Sequence, residues 1–426
     1  MKNPQVRTPE KPSLLASLGP GIVTGAADDD PSGIATYSQA GAQFGYAMTW
    51  TLLFTYPLMV GVQLVSARIG RVSGHGLATN IRRHYPPWLL HAMVFLLLVA
   101  NTINIAADLS AMGDAFRLLV GGSAHVYAAL FGLACAALQV FIPYRRYVRV
   151  LKWLTLALLA YVATVFVIPL PWLQVASATF LPKITWSKDY ITVIVAVFGT
   201  TISPYLFFWQ ASQEVEDQRA DPNAKPLKSA PRQAEGTLRR IWIDTTLGMG
   251  VSNLVAFFIM VTTAATLHAH GVTNIQTAAQ AAEALRPIAG NFAFALFSLG
   301  IIGTGLLAVP VLAGSASYAM AGALRWKNSL EDRPGTAREF YAVIVAATIG
   351  GIALGFTPID PIKALFWSAV INGVISVPIM AVMMLVAART DVMGALAVRG
   401  GLRAVGWLCT AVMAVAVVAM FVTMLQ

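Results

Sequence analysis

Three consecutive aspartates, Asp28, Asp29 and Asp30, stand in the middle of a long apolar stretch and are followed directly by a proline. A fourth aspartate, Asp108, lies deep in another apolar stretch, and neither stretch carries a lysine or an arginine at that depth. A carboxylate inside a bilayer costs at least about 2.5 kcal/mol, so such residues usually have a function. Buried carboxylates without a basic partner predict a bound cation, and oxygen ligands favour a hard cation such as Mg²⁺, Ca²⁺ or Mn²⁺.

The four aspartates are not expected to contribute equally. Side chains at three consecutive helical positions point in different directions, so all three cannot reach one ion. We expect Asp30, which adjoins the proline, to be the direct ligand. Asp29 and Asp28 are expected to support it or to line a vestibule, with a water-facing acid as the alternative for each. Asp108 is expected to attract the cation or to take part in a relay.

Three further polar residues lie at or near membrane depth. Glu214 could extend an acidic path toward the cytoplasm, although a solvated helix end is the favoured interpretation. Asn253 and Asn372 are deep amides, and hydrogen bonding between helices explains each of them at least as well as contact with an ion.

The composition excludes a soluble enzyme and a disordered protein. Of the 426 residues, 57% are hydrophobic and only 11% are charged, whereas a soluble domain carries roughly 25% charged residues. The net charge is +10, but the basic residues collect in short loops between apolar runs, which is the positive-inside pattern of membrane proteins and not a nucleic-acid-binding face. Cys135 and Cys409 lie within apolar runs and are interpreted as small buried side chains, not as a disulfide or a metal site.

Eleven apolar segments are long enough to cross a bilayer. The chain is therefore predicted to be an all-α integral membrane protein with a single transmembrane domain over residues 1–426. Five basic loops, including Tyr144–Val148, fall on one side of the membrane if the N-terminal tail, residues 1–12, is cytoplasmic and the C-terminus is outside. The predicted spans are 13–40, 46–69, 88–118, 124–142, 149–169, 188–213, 239–267, 287–321, 338–357, 361–388 and 403–425.

Two of these spans are interrupted. Span 1 contains the three aspartates, Pro31 and Gly33, and span 6 contains Gly199 and Pro204. Proline breaks a helix, and backbone freed at membrane depth is tolerated only where it lines a cavity or is buried in protein. The breaks lie five spans apart, so residues 13–169 and 188–388 are predicted to be inverted repeats, followed by an eleventh span at 403–425. Matching breaks in inverted repeats indicate a secondary transporter with its binding site near the midplane.

The two break segments resemble those of the NRAMP metal transporters. Asp30-Pro31-Ser32-Gly33-Ile34-Ala35-Thr36, together with the following Gln39-Ala40-Gly41-Ala42, is similar to the first broken helix of that family. Gly199-Thr200-Thr201-Ile202-Ser203-Pro204-Tyr205 looks like the second break, and the order of spans and basic loops agrees over nearly the whole chain. The resemblance implies a LeuT-like fold and transport of divalent cations.

The sequence departs from the ordinary NRAMP pattern at its implied ligands. Asp30 keeps the ligand aspartate, but Gly33 stands where the family has a ligand asparagine, and Ser203 where it has a methionine. Tyr205 and Gln210 replace two histidines. This combination is similar to the NRAMP-related magnesium transporter branch, and it implies a site with Asp30, Ser203, the Thr200 carbonyl and Gln210. Loss of the thioether disfavours soft metals, and a glycine widens the site for a partly hydrated Mg²⁺.

The implied function is import of Mg²⁺, and also of Mn²⁺, by alternating access across the inner (plasma) membrane. Proton coupling is not expected to be obligatory, because Ala111 replaces a family glutamate beside Asp108 and no histidine is predicted at membrane depth. The alternatives are a proton-coupled Mn²⁺/Fe²⁺ transporter and a Na⁺-coupled carrier of an organic solute. A membrane aspartyl protease using Asp30 and Asp108 lacks the expected glycine-rich motifs, so the chain is not predicted to be an enzyme. The metal is a substrate, no cofactor is expected, and beyond lipid no nucleic acid or obligatory protein partner is implied.

Overall fold

The computed structural model describes residues 19–142 and 154–425, and the regular structure in these ranges is helical. Four features of the sequence interpretation lie outside the described residues. They are the tail at 1–12, the first residues of span 1 at 13–18, the basic loop Tyr144–Val148 and the start of span 5 at 149–153.

Fifteen helices of eight or more residues make up most of the described chain. They are α1 Pro20–Asp28, α2 Pro31–Phe44, α3 Thr49–Ser73, α4 Leu77–His84, α5 Pro87–Val120, α6 Ala124–Phe141, α7 Leu159–Val167, α8 Trp172–Phe180, α9 Lys188–Thr201, α10 Pro204–Ala220, α11 Ala234–Thr266, α12 Ala293–Leu324, α13 Arg338–Gly355, α14 Pro361–Ala388 and α15 Gly400–Leu425. Short helical segments lie between them at Gly45–Met48, Leu154–Leu158, Pro231–Gln233, His268–His270, Ala278–Ala282, Glu283–Leu285, Arg286–Ala289, Gly290–Phe292, Thr390–Met393 and Gly394–Leu396.

The number of long apolar helices differs from the eleven predicted spans. In the described ranges nine are long and apolar enough to cross a membrane, or ten if the bent pair Leu156–Val167 and Trp172–Phe180 is one span. Part of the difference arises at Pro31–Ser73, a single run that covers the second half of span 1 and span 2, although Gly45, with φ 58° and ψ −135°, ends α2 before the short 3₁₀ segment and α3. The bent pair accounts for the rest. The first half of span 1, α1, is only nine residues long because the break follows it.

Both predicted breaks are present, and each is explained by its proline. The residue before a proline is restricted to extended backbone, while a proline fits the first position of a helix because its missing N–H needs no partner there. Asp30 is extended, with φ −72° and ψ 170°, and Pro31 begins α2. Ser203 is extended, with φ −75° and ψ 130°, and Pro204 begins α10. Each span is thus two half-helices separated by two non-helical residues.

Glycines allow the half-helices to pack closely on the helices around them. α1 lies on α11, where Gly25 faces the backbone of Gly248, and a Cβ at either position would overlap the other helix. α9 lies on α14 in the same way, with Gly199 against the backbone of Ala369 and Gly373. Small residues that bring backbones together are a common means of helix association in membranes. The two breaks lie side by side because α9 also contacts α2 and α1 contacts α10.

Candidate functional site

The two helix breaks face each other in the core of the protein. A Cβ placed on Gly33, in the first turn of α2, would lie 3.3 Å from the Oγ1 atom of Thr200 near the end of α9. The hydroxyl of Tyr205, at the start of α10, donates to the carbonyl of Ala27 near the end of α1 at 3.0 Å. The C-terminal end of α1 therefore lies near the start of α10, and the C-terminal end of α9 lies near the start of α2. Each C-terminal end carries the negative end of its helix dipole, which favours a cation.

Asp30 caps the second half of span 1. Its Oδ1 atom accepts from the backbone N–H of Gly33 and from the hydroxyl of Ser32, both at 2.7 Å. Its Oδ2 atom accepts from Nδ2 of Asn104 on α5 at 3.0 Å. The carboxylate is buried and makes three hydrogen bonds, so its orientation is fixed before any ion arrives.

Asp28 and Asp29 both lie within hydrogen-bond distance of a serine that was not predicted from the sequence to belong to the site. The hydroxyl of Ser252 on α11 lies 2.9 Å from Oδ2 of Asp28 and 3.0 Å from Oδ1 of Asp29. A hydroxyl has one proton and cannot satisfy both carboxylates. The Oδ1 atom of Asp28 has no hydrogen-bond partner at all. Both aspartates are buried, so the alternative of water-facing acids is wrong for this conformation.

Asp108 lies fully buried beside the break, and neither of its carboxylate oxygens has a hydrogen-bond partner. Its charge is close enough to that of Asp30 for the two to repel each other. In the described part of the chain none of the four deep aspartates forms an ion pair. Carboxylates buried in this way are strongly destabilising unless a cation or a donor compensates them.

The second break offers hydroxyl and carbonyl oxygens instead of carboxylates. Ser203 donates to the carbonyls of Gly199 and Thr200 at 3.0 and 2.8 Å, while Oγ1 of Thr200 is buried and unpartnered. The widened site expected at Gly33 is not present in this conformation, because Thr200 and the ring of Tyr37 already fill the space. A Cβ there would be 3.3 Å from both.

The three amides named from the sequence lie in different surroundings. Gln210 accepts a hydrogen bond from the hydroxyl of Thr24 on α1, and its Nε2 atom is unpartnered. Asn372 is buried next to Gly373, and its amide has no partner at either atom, so the expected interhelical hydrogen bond is absent. Asn253 faces away from the break into an apolar cavity between α3, α8 and α11. Its neighbour Ser252 is the residue of α11 that reaches the aspartates.

Glu214 is not the solvated helix end that the sequence favoured. It is fully buried, because α10 continues to Ala220, and its Oε2 atom lies 2.8 Å from Nη2 of Arg240 on α11. The acidic path expected to start at Glu214 is therefore occupied by an ion pair in this conformation.

Arg240 belongs to a charged network, which we call the inner cluster, made of Arg71, Glu214, Asp217, Arg240 and Asp244. Arg240 also contacts Asp217 at 3.3 Å, and Asp217 contacts Arg71 of α3 at 3.2 Å. Asp244 accepts from two N–H groups at the start of α1, Gly19 at 3.0 Å and Gly21 at 2.6 Å. The inner cluster thus holds the beginning of α1 against α10 and α11.

Substitution of Arg240 by alanine is expected to loosen the start of α1. Removing one partner of a buried ion pair leaves an uncompensated charge and costs about 3–5 kcal/mol. Reaction of a thiol introduced by Thr24→Cys with a water-soluble reagent should then accelerate by at least about tenfold, since 1.4 kcal/mol corresponds to a factor of ten. The exposed neighbour Arg239 provides the control, Arg239→Ala. An unchanged labelling rate in Arg240→Ala would show that the inner cluster does not close this side.

The arrangement as a whole can hold a hard cation, but not through carboxylates alone. Among the described residues no group of three or more His, Cys, Asp and Glu side chains has metal-binding geometry. The donors that converge on the two breaks are carboxylate, hydroxyl and carbonyl oxygens. Such a set suits Mg²⁺ or Mn²⁺ that keeps part of its water.

Several polar residues at the site were not found from the sequence. Asn104, Ser252 and Arg240 each contact an acid that the sequence did indicate. Asn104 is four residues before Asp108, and this helical spacing would have placed both on one face of α5. Nothing comparable in the sequence separates Ser252 from the other serines in apolar spans.

Comparison with known proteins agrees with this geometry. The model of a family described as "natural resistance-associated macrophage protein-like" matches residues 21–423. The divalent metal cation transporter MntH of Klebsiella pneumoniae (strain 342) is 27% identical over 406 residues, which cover 93% of this chain and 92% of the relative. A relative of the same name from Yersinia enterocolitica is 28% identical over 332 residues, 75% of this chain and 77% of that one.

Solved structures show the same fold. A crystal structure of the Eremococcus coleocola manganese transporter, in complex with an aromatic bis-isothiourea substituted compound, has a TM-score of 0.71 at 17% identity, covering 98% of this chain and 89% of that chain. The nucleobase-cation-symport-1 family transporter Mhp1 has a TM-score of 0.57 at 12% identity, covering 95% and 92%. The predicted LeuT-like, all-α membrane fold is confirmed. The relatives are transporters, and the prediction that the chain is not an enzyme is confirmed as well.

Proposed function

Since this chain belongs to the Nramp family, we propose that it transports divalent metal cations through the region between its two helix breaks. The observation that carries the proposal is the group of four buried aspartates, Asp28, Asp29, Asp30 and Asp108, without a basic partner among the described residues. A protein that only needed stability would not retain these charges in a membrane. The curated relatives bear the name of divalent metal cation transporters.

Mg²⁺, with Mn²⁺ as a second substrate, is the proposed ion, as in the NRAMP-related magnesium transporter branch that the break motifs resemble. Ser203 supports this choice, because a hydroxyl stands where a thioether would favour softer metals. The donors near the breaks are oxygens, which are the ligands of Mg²⁺. Mn²⁺ accepts the same ligands, so a site of this kind is not expected to exclude it.

The proposed first ligand is Asp30, in the gap between α1 and α2. An ion there must displace at least one of the three hydrogen bonds that the carboxylate accepts. The Thr200 carbonyl, Ser203 and Gln210 would complete the shell with water, and the absence of a side chain at Gly33 would leave room once the two breaks separate. Asp29 would support Asp30 from the other side of the break, together with Ser252.

We further propose the membrane placement read from the basic loops. The protein would lie in the inner (plasma) membrane with its N-terminus in the cytoplasm and its C-terminus outside. Residues 13–169 and 188–388 would form the two inverted repeats, and 403–425 the eleventh span. In this orientation the inner cluster faces the cytoplasm, where it would open to release the ion.

Uptake into proteoliposomes tests the transport proposal. Purified full-length protein should carry Mg²⁺ and Mn²⁺ into vesicles that contain a fluorescent indicator for each ion, and an inside-negative potential should accelerate both. Empty vesicles and vesicles with an unrelated membrane protein are the controls. Failure to move either ion, or uptake of an organic solute driven by Na⁺ instead, would refute the proposal.

Transport is expected to proceed without obligatory movement of protons. Tyr205 and Gln210 stand where the resemblance would place histidines, and the carboxylate that would follow Asp108 by one turn is replaced by Ala111. A pH dye inside the vesicles should therefore report no acidification that matches Mg²⁺ entry, measured in parallel in the same preparation. Stoichiometric acidification that disappears in Asp108→Asn would contradict this expectation and favour the proton-coupled alternative.

A further inference from the structure

The polar face of α5 carries hydrogen-bond acceptor atoms that the proposed ion site at the helix breaks does not involve. We propose that Asp108, Asn104 and Asp30 form a second divalent-cation site, adjacent to the first and sharing Asp30 with it. This inference rests on the proposed function, because it concerns the same class of transported ion. It adds that the protein holds two ions at once.

The geometry of α5 brings the two new ligands together. Asn104 and Asp108 are four residues apart in the continuous helix Pro87–Val120, so their side chains lie on one face, one turn apart. Both are fully buried. The Nδ2 atom of Asn104 is bonded to Oδ2 of Asp30, which places this face of α5 directly at the break.

Three acceptor atoms on this face make no regular hydrogen bond, although the backbone N–H of Ser32 lies close to Asp108. They are Oδ1 of Asn104 and both carboxylate oxygens of Asp108. The amide of Asn104 can rotate only at the expense of its bond to Asp30, so its oxygen remains available to another partner. An amide oxygen and a carboxylate beside a second carboxylate are typical ligands of Mg²⁺, Mn²⁺ or Ca²⁺.

If all four deep aspartates are ionised, one divalent ion does not balance their charge. Asp28, Asp29, Asp30 and Asp108 together carry four negative charges when ionised, and no ion pair reaches any of them in the described ranges. One divalent cation at the break compensates two of the four. A water molecule could donate hydrogen bonds to the remaining acceptors but would leave the other two charges in a medium of low dielectric constant. A second divalent cation compensates them.

Counting bound Mn²⁺ tests this inference on the full-length protein in lipid nanodiscs. Free Mn²⁺ gives an electron paramagnetic resonance signal that falls as the ion binds, so a titration gives the number of ions per chain. We expect about two for the unmodified protein, one for Asp108→Asn and two for the conservative Asp108→Glu. Asn104→Leu should weaken the second ion by about tenfold or more, and it should also weaken the first, because it removes a hydrogen bond to Asp30. Asp114→Asn, at the outer end of the same helix and paired with Arg117, should keep both.

The other outcomes separate this inference from the proposed function. No bound Mn²⁺ in the unmodified protein would refute both. The second site alone would be refuted if the unmodified protein bound one Mn²⁺ and this number stayed the same in Asp108→Asn. The number must also stay the same when a large organic cation replaces Na⁺ in the buffer. Two ions in both the unmodified protein and Asp108→Asn would likewise refute the role of α5.

Loss of folding cannot imitate the expected pattern. Asp108→Asn must retain the first Mn²⁺, and the affinity of that ion then reports an intact break. A variant that binds neither ion and no longer elutes as a monodisperse peak is misfolded. The comparison then uses Asp108→Glu in its place. In that variant a carboxylate one methylene longer should restore the count but change the affinity of the second ion only. An altered affinity of the first ion alone would contradict the proposal.

Discussion

Asp30→Asn is expected to abolish uptake of Mg²⁺ and Mn²⁺ while the protein remains folded. Asparagine ranks with aspartate as a helix N-cap, so it can still accept from Gly33 and Ser32 at the start of α2. What it removes is the charge that binds the cation. Initial rates in proteoliposomes should fall by at least about a hundredfold, which corresponds to roughly 2.7 kcal/mol. Asp30→Ala should have the same effect on transport and additionally cost about 0.5–2 kcal/mol through the lost cap.

The chain contains a matched control for this experiment. Asp360 precedes Pro361 as Asp30 precedes Pro31, and it caps α14 by accepting from the N–H groups of Ile362 and Lys363 at 3.0 and 3.2 Å. Asp360→Asn removes one negative charge from an equivalent cap outside the membrane core and should leave uptake unchanged. Near-normal transport by correctly inserted Asp30→Asn would overturn the assignment of Asp30 as the main ligand.

The double substitution Ser203→Met with Gly33→Asn is expected to shift the preference away from Mg²⁺ toward softer ions. Methionine supplies a thioether, and it releases the carbonyls of Gly199 and Thr200 from the hydroxyl that now binds them. Asparagine adds an amide ligand but must displace Thr200 or Tyr37, since a Cβ added at Gly33 would lie 3.3 Å from an atom of each. The total rate should therefore fall, while the ratio of Mn²⁺ to Mg²⁺ uptake rises by about tenfold, or 1.4 kcal/mol.

The single variants identify the source of the shift. Ser203→Ala removes the same hydroxyl without adding sulfur, so it should lower both rates and leave their ratio close to the original. Cd²⁺ should inhibit Mn²⁺ uptake more strongly in the double variant than in Ser203→Ala, because only the former has a soft ligand. If Mg²⁺ and Mn²⁺ uptake kept their original ratio in the double variant, these two positions would not determine selectivity.

The features that could be predicted from the sequence are those that depend on neighbouring residues. Asp30-Pro31 and Ser203-Pro204 each combine a residue held in extended backbone with a proline that begins a helix, and both breaks are present where expected. Burial of the aspartates followed from their position in apolar runs. Fewer long helices than eleven are counted in the described ranges, because the short 3₁₀ segment Gly45–Met48 follows α2 directly and the run Pro31–Ser73 then covers parts of two predicted spans.

The partners of the acids could not be predicted, because they depend on which helix faces meet. Asn104 is 74 residues from Asp30, and Ser252 is more than 220 residues from Asp28 and Asp29. Glu214 illustrates the resulting error. Near the end of an apolar run it resembled a solvated residue, but it is buried, and α11 brings the partly exposed Arg240 to the same level as its partner.

The glycine contact between α1 and α11 has a mechanical consequence. Gly25 and Gly248 bring the two backbones so near that no methyl group fits between them. At this contact no side chain of one helix interlocks with side chains of the other. Two such helices can slide or separate at this contact without first rotating a side chain out of the way. The polar bonds at the two ends of α1, to Asp244 and to Ser252, then contribute most to the barrier to their relative motion. The methyl group of Gly248→Ala would push α1 away from α11. It would therefore favour conformers in which the two helices are apart, without altering any atom that contacts the ion.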